Sequence, residues 1–204
     1  WQRHIPSHRF MFPDKYLQNK LYLFDYGISE YNKVISDLPD GFTMKRLGFD
    51  SLSAVENLQR KVVDGMENKN LFYPLSREEL IESMQLDYIS GIFSPEGRLA
   101  AFSVIVSNRD GERSLASDVH LNPSEVFTFD AVAVDNEYRG RGFQRTFIGW
   151  SIDLAKSLSV KYIVATVDPQ NTPSERNFLA QGFHIAETKT KYIGLTRDIL
   201  RLDV

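Results

Sequence analysis

The run from Val126 to Val167 leaves this chain few folds to choose from. Val126–Val134 reads Val-Phe-Thr-Phe-Asp-Ala-Val-Ala-Val, mostly apolar on both faces, the pattern of a strand covered from both sides. Strict alternation places Thr128, Asp130, Val132 and Val134 on one face and Phe127, Phe129, Ala131 and Ala133 on the other. From Gly142 the apolar period lengthens: Phe143, Phe147, Trp150, Leu154 and Leu158 share a helical stripe, widened by Ile148, Ile152 and Ala155. Tyr162–Val167 is short and apolar again, so it reads as a second buried strand. A strand, a helix of about four turns and another strand make a parallel crossover, expected to be right-handed.

The joint between the first strand and the helix carries the chemistry. Gly140 and Gly142 can take up positive φ and let a ligand approach the backbone. The first N–H groups of the helix lack intrahelical partners and sit at the positive end of its dipole. Arg139, Arg141 and Arg145 add cationic charge, and a diphosphate is a natural occupant of such a turn. On Gly-Arg-Gly alone, an ordinary surface turn is the better reading. A dinucleotide fingerprint needs a glycine where Arg145 stands, and the chain has no Gly-Lys-Ser/Thr phosphate loop.

A second motif follows in order. Asn171-Thr-Pro-Ser174 opens another helix, Phe178 lies seven residues after the asparagine, and Gly182-Phe183 closes it. With both motifs in place the stretch resembles the GNAT superfamily of acyl-CoA-dependent N-acetyltransferases. That family's phosphate loop, Arg/Gln-x-x-Gly-x-Gly/Ala, is matched here by Arg139, Gly142 and Gln144 after the strand-ending Val134. The resemblance implies an α/β GNAT fold: a mixed, mostly antiparallel sheet with a central parallel β-α-β crossover flanked by helices. It implies acetyl-CoA as co-substrate, with no metal, and an amine on a small molecule or peptide as acceptor. Its implied cofactor-binding residues are the edge Val132, Ala133 and Val134, the loop Arg139, Gly140, Arg141, Gly142, Phe143, Gln144 and Arg145, and Asn171, Ser174 and Phe178.

Two residues depart from the family pattern. Gln144 stands where glycine or alanine is usual. Phe178 occupies the place of a tyrosine that many members use to protonate the departing CoA thiolate, and phenylalanine has no proton to give. A non-catalytic acyl-CoA sensor or interaction module is therefore the rival reading, and an unrelated phosphate-binding α/β protein the third.

For amine chemistry the best-placed carboxylate is Asp130, expected on the face of Val132 and Val134, where it could accept a proton directly or through water. A satisfied polar group inside the sheet is an equally good account of it. Asn171 is either a pantetheine ligand or an Asx turn before the helix cap. His120 lies in a long polar loop, Ser107 to Pro123, and reads better as a solvated side chain than as a base. No histidine pair has metal-ligand spacing.

The remaining elements fit around this centre. Residues 1–40 form an aromatic-rich N-terminal extension and 41–204 the acyltransferase domain. In the extension, helical spacing (Leu17, Leu21, Phe24) competes with strand alternation (Tyr22, Phe24, Tyr26), and packing on the core is preferred to a pocket wall or a homodimer contact. Phe42–Leu47 reads as a first strand, and Ser53-x-x-Glu56 and Ser76-x-x-Glu79 as capping boxes opening two helices. The segment Leu71-Phe72-Tyr73-Pro74 between them overlies the acceptor amine in the family. Tyr88–Phe93 and Leu99–Val106 read as strands joined by a Ser-Pro-Glu-Gly turn. Thr172-Pro173-Ser174-Glu175 suits an N-cap, N1 and N3, and Phe183–Tyr192 and Arg197–Val204 a final hairpin.

Composition removes other classes. The net charge is −3 with no long basic block, which argues against nucleic acid as main partner. No apolar run reaches membrane length and no secretory signal is visible, so the expected setting is cytoplasmic and away from the membrane. The chain has no cysteine, which excludes disulfides, thiolate metal sites and a cysteine acyl-enzyme.

Overall fold

Short strands that are apolar on both faces must be covered on both sides, and the computed structural model shows how. It describes residues 38–86, 88–107, 113–192 and 194–204. The strands are β1 (Thr43–Arg46), β2 (Ile89–Phe93), β3 (Leu99–Ser107), β4 (Val126–Val134), β5 (Tyr162–Val167), β6 (His184–Lys191) and β7 (Leu195–Asp203). They form one seven-stranded sheet in the order β1-β2-β3-β4-β5-β7-β6. The β4–β5 pair is parallel, and the other neighbours are antiparallel. The α-helices among the described residues are α1 (Leu52–Asp64), α2 (Arg77–Gln85), α3 (Phe143–Ser157) and α4 (Thr172–Leu179). This is the expected α/β fold with its central β4–α3–β5 crossover. The N-terminal extension lies almost wholly outside the described residues.

Each face of the sheet has its own core. Phe143, Phe147, Ile148, Trp150 and Leu154 of α3 pack with Phe127 and Phe129 of β4 and with Phe178 of α4. Phe147 and Ile148 are fully buried, and truncating such a phenylalanine to alanine typically costs about 3–5 kcal/mol. On the opposite face Val55, Leu58 and Val62 of α1 and Leu80 and Met84 of α2 meet Phe102, Val104, Ala131 and Ala133.

β4 departs from the alternation that its sequence predicts. Val104 pairs with Ala131 but Ile105 pairs with Phe129, so Asp130 is an extra residue, a β-bulge. The face assignment changes accordingly. Val132 and Val134 lie with Phe127 and Phe129 on the α3 side, whereas Ala131 and Ala133 face α1 and α2. Asp130 reaches Arg113, which is bonded to α2, and so does not share the face of Val132 and Val134. Period-two reasoning fails here because a bulge adds one residue to one strand alone.

The helix caps are half as expected. Ser76 and Glu79 form a full capping box at α2. Ser53 does not cap: a 3₁₀ turn at Phe49–Ser51 starts the helix earlier, with Ser51 at the N-cap, and Glu56 instead binds Arg77 at 2.6 Å. At α4 the N-cap is Asn171 rather than Thr172, its side chain accepting from the Ser174 N–H. Its Asx geometry outcompetes threonine one residue on.

Candidate functional site

The β4–β5 ladder runs from Val126↔Tyr162 to Phe129↔Ala165 and ends there. Beyond it the β5-facing edge of Asp130–Val134 has no ladder partner. The bulge at Asp130 falls where the two strands part, as expected of a device that adds local twist and bend. A cavity of about 280 Å³ opens at this gap. Phe129, Asp130, Ala131 and Val132 line it from β4, Thr166, Val167 and Asp168 from β5 and beyond, and Asn171, Ser174 and Phe178 from α4. Leu71, Phe72, Tyr73 and Leu75 wall it from the α1–α2 connection, Glu79 from α2, and Tyr192 and Arg197 from the β6–β7 hairpin.

The glycine turn is tied to the cavity through Gln144, which bonds the lining residue Ser174. Gly140 and Gly142 have φ of 77° and 84°, the left-handed region that side chains resist. A Cβ on Gly140 would meet nothing within 4 Å, so the protein itself leaves the space above it open. Gly142 is the N-cap of α3 and offers no side-chain cap, so the first-turn N–H groups of Phe143, Gln144 and Arg145 stay available to a ligand. The Phe143 side chain is buried in the core, so only its backbone can serve. Arg139, Arg141 and Arg145 are exposed, with Arg141 resting 5.5 Å from the Phe42 ring.

Apart from Ala133 and Val134, which do not line the cavity, the predicted residues fall into two groups. Asp130, Val132, Asn171, Ser174 and Phe178 line the cavity; Arg139 to Arg145 form the turn. Gln144 joins them: its amide donates to Ser174 Oγ at 2.8 Å and accepts from Asn177 Nδ2 at 2.8 Å. The side chain that departs from the family pattern therefore fastens the first turn of α3 to α4. Ala133 turns its side chain away, toward α1 and α2. Asn171 also donates to the Leu71 carbonyl at 3.3 Å, tying the α4 cap to the cavity wall.

Asp130 is paired with Arg113, whose guanidinium also meets Ser83 Oγ at 2.8 Å and Glu82 at 3.3 Å. Burial pushes the Asp130 carboxyl above the usual aspartate range, and the Arg113 guanidinium works against that shift. Phe178 is buried edge-on to Phe129 and Phe183, with centroids at 5.2 and 5.1 Å, and brings no polar atom to the cavity. His120 is exposed at the end of a 3₁₀ turn and does not line the cavity.

Sequence reading missed the second layer. Arg197, only 3% exposed, bonds Asp168 at 2.8 Å and the Asn70 carbonyl at 2.6 Å, holding β7, the β5 exit and the α1–α2 connection together. Tyr192 stacks on Tyr73 at 4.8 Å and shares a 3.2 Å hydrogen bond with Thr166 Oγ1. These contacts join residues up to 127 positions apart, and no local pattern marks them. Among the described residues no group of His, Asp and Glu is placed to hold a metal ion, and no helix is long and apolar enough to cross a membrane.

Residues 66–183 match the model of the acetyltransferase (GNAT) family, more than half of the 204-residue chain. No curated protein sequence matches the chain. Among solved structures it is similar to the ribosomal-protein-S18-alanine N-acetyltransferase of Escherichia coli, with TM-score 0.60, 18% identity and coverage of 79% of this chain and 93% of that one. It is similar also to a putative acetyltransferase from Salmonella typhimurium solved with acetyl-CoA, with TM-score 0.61, 16% identity and coverage of 80% and 94%. A GNAT-family acetyltransferase from Streptococcus pneumoniae gives TM-score 0.62 at 12% identity, with coverage of 80% and 99%.

Proposed function

Because the chain belongs to the GNAT acetyltransferase family, we propose that it transfers an acetyl group from acetyl-CoA directly to a primary amine. The observation that carries this reading is the Gly140–Gly142 turn at the start of α3, tied through Gln144 to Ser174 in the wall of the cavity at the β4–β5 gap. The Salmonella neighbour was solved with acetyl-CoA, which supports the same ligand here.

The residues present fit that co-substrate. Free N–H groups of Phe143, Gln144 and Arg145, with Arg139 and Arg145 alongside, suit its pyrophosphate. The unpartnered edge of Val132–Val134 offers backbone hydrogen bonds to the amide-rich pantetheine arm and donors to polarise the thioester carbonyl. The acceptor amine enters from the opposite wall, past Leu71, Phe72 and Tyr73. Asp130 receives the proton that the amine loses, directly or through water. With no cysteine in the chain, transfer runs within a ternary complex and not through a cysteinyl intermediate.

The test is an amine panel with acetyl-CoA, followed by release of free thiol. The E. coli neighbour acts on the alanine of a ribosomal protein, so peptide N-termini belong on the panel beside lysine and small amines. Acceptor-dependent thiol release supports the proposal. Binding of acetyl-CoA without transfer to any amine would favour the rival, a non-catalytic acyl-CoA-binding module, which the buried Phe178 recommends. A melting temperature raised by ATP or NAD but not by acetyl-CoA would overturn both.

A further inference from the structure

Expulsion of a thiolate calls for a proton, and Phe178 cannot provide one. The cavity holds few alternatives. Asp130 is engaged by Arg113, and Glu79 accepts from the Ser76 N–H to cap its own helix. Ser174 Oγ is engaged by Gln144, and aliphatic hydroxyls are poor acids. Tyr73 stands at the rim with 43% of its surface exposed. Tyr192 differs from all of these.

The ring of Tyr192 is fixed from several sides. It stacks on Tyr73 with an interplanar angle of 14°, and the Arg197 guanidinium lies 5.8 Å from its centroid. Its backbone has φ of 45°, a conformation that a bulky side chain adopts only where the surroundings impose it. Its hydroxyl is 3.2 Å from Thr166 Oγ1, and Thr166 is the first residue of β5 past the last β4–β5 ladder pair. The phenol therefore sits where the gap opens. Either hydroxyl can donate in this bond; when Thr166 donates, the phenolic proton is free for the cavity that Tyr192 lines.

Resting on the transferase reading above, we propose that Tyr192 is the proton donor to the departing sulfur, a role moved from α4 to the β6–β7 hairpin. The amine nitrogen bonds to the thioester carbonyl carbon. The C–S bond breaks with its electron pair going to sulfur, and the phenolic proton passes to sulfur to give the thiol. The surplus proton on nitrogen leaves to Asp130 or water, and solvent returns a proton to the phenolate. Burial raises the phenol above its usual pKa, Asp130 and Asp118 act in the same direction, and the Thr166 hydroxyl and Arg197 oppose them. The phenol is consequently protonated at neutral pH. Lys191 also faces it, 5.7 Å from the ring centroid, and Glu79 and Asp168 line the same cavity.

The experiment compares the wild type, Tyr192→Phe and a chain with a fluorinated tyrosine at 192, whose phenol is more acidic. Calorimetry should give the same acetyl-CoA affinity for all three within about threefold, as a group acting on the leaving sulfur adds little ground-state binding. Tyr192→Phe should lose about 10²–10⁴-fold in kcat, with a smaller change in KM for the amine. The fluorinated chain should turn over, with the alkaline limb of its kcat profile moved to lower pH. An active wild type with Tyr192→Phe within threefold of it, or an alkaline limb that stays put, overturns the role of Tyr192 and leaves the transferase reading standing. A wild type that binds acetyl-CoA yet acetylates no amine overturns both.

Discussion

Arg197→Met is the most informative test of how this site is held together. Methionine keeps much of the length and apolar bulk of arginine but removes the charge and all its donors. The wild-type guanidinium bonds Asp168 Oδ2 at 2.8 Å, the Thr196 carbonyl at 2.9 Å and the Asn70 carbonyl at 2.6 Å. Side-chain exposures of 3% for Arg197 and 11% for Asp168 mean that water cannot stand in for the lost partner. Removing one member of a buried pair and stranding the other costs about 3–5 kcal/mol. At roughly 2–4 °C per kcal/mol for a protein of this size, the melting temperature should fall by about 6–20 °C. Asp168→Asn added to Arg197→Met should recover part of that loss, because the stranded charge is gone while the bond from the Gln170 N–H can persist. Thermal unfolding of the four combinations measures it. A drop under about 2 °C for Arg197→Met, or a strictly additive double variant, would refute the argument that the pair is a buried, coupled clamp.

Gly142→Ala should cost about 1–2 kcal/mol through its left-handed backbone alone, and should weaken acetyl-CoA binding more than tenfold by calorimetry, since the methyl would intrude on the proposed pyrophosphate site. Phe178→Tyr should alter kcat by less than about tenfold, far below the 10²–10⁴ typical of a general acid; a silent wild type awakened by that hydroxyl would support the non-catalytic rival instead. Asp135 tests the pH dependence of stability. Burial alone would raise its carboxyl, but Lys61 Nζ at 2.9 Å and the Glu137 N–H at 3.0 Å overcome burial and hold it below the usual aspartate range. A depressed folded-state pKa contributes stability above the unfolded value near ~4 that is lost as pH falls through the folded value. Asp135→Asn should therefore melt about 2–4 °C below wild type at pH 7, as befits a pair whose lysine is half exposed. The gap should close as pH drops below about 4; a gap that widens in acid contradicts the assignment.

Much of the fold was legible because its signals are local. The stripe from Phe143 to Leu154, the glycines at 140 and 142 and the Ser76–Glu79 box each act within a few residues, and the structure shows them in place. The strands β1, β6 and β7 are found with ends shifted by one or two residues, since strand ends depend on a partner's register. What sequence could not show depends on distance. Arg113 meets Asp130 and Arg197 meets Asn70 only after the sheet has assembled, and an arginine in a polar loop or at the start of a strand looks like any surface cation. Tyr192 stood at the end of an expected strand with nothing to distinguish it from its neighbours. The cap at Ser53 failed because Gly48 to Ser51 forms a tight turn that starts the helix sooner.

The bulge at Asp130 has the character of a shim, a spacer that keeps a joint from shutting. Phe129 faces α3 and Ala131 faces α1, as adjacent residues of a regular strand would do with Asp130 absent. Excising Asp130 would therefore leave every other β4 side chain on its own side and relieve the register shift against β3. The strand could then straighten and zip further along β5, closing the cleft that the cavity depends on. One residue that the core does not need thus stands between an ordinary closed sheet and one with a slot in it.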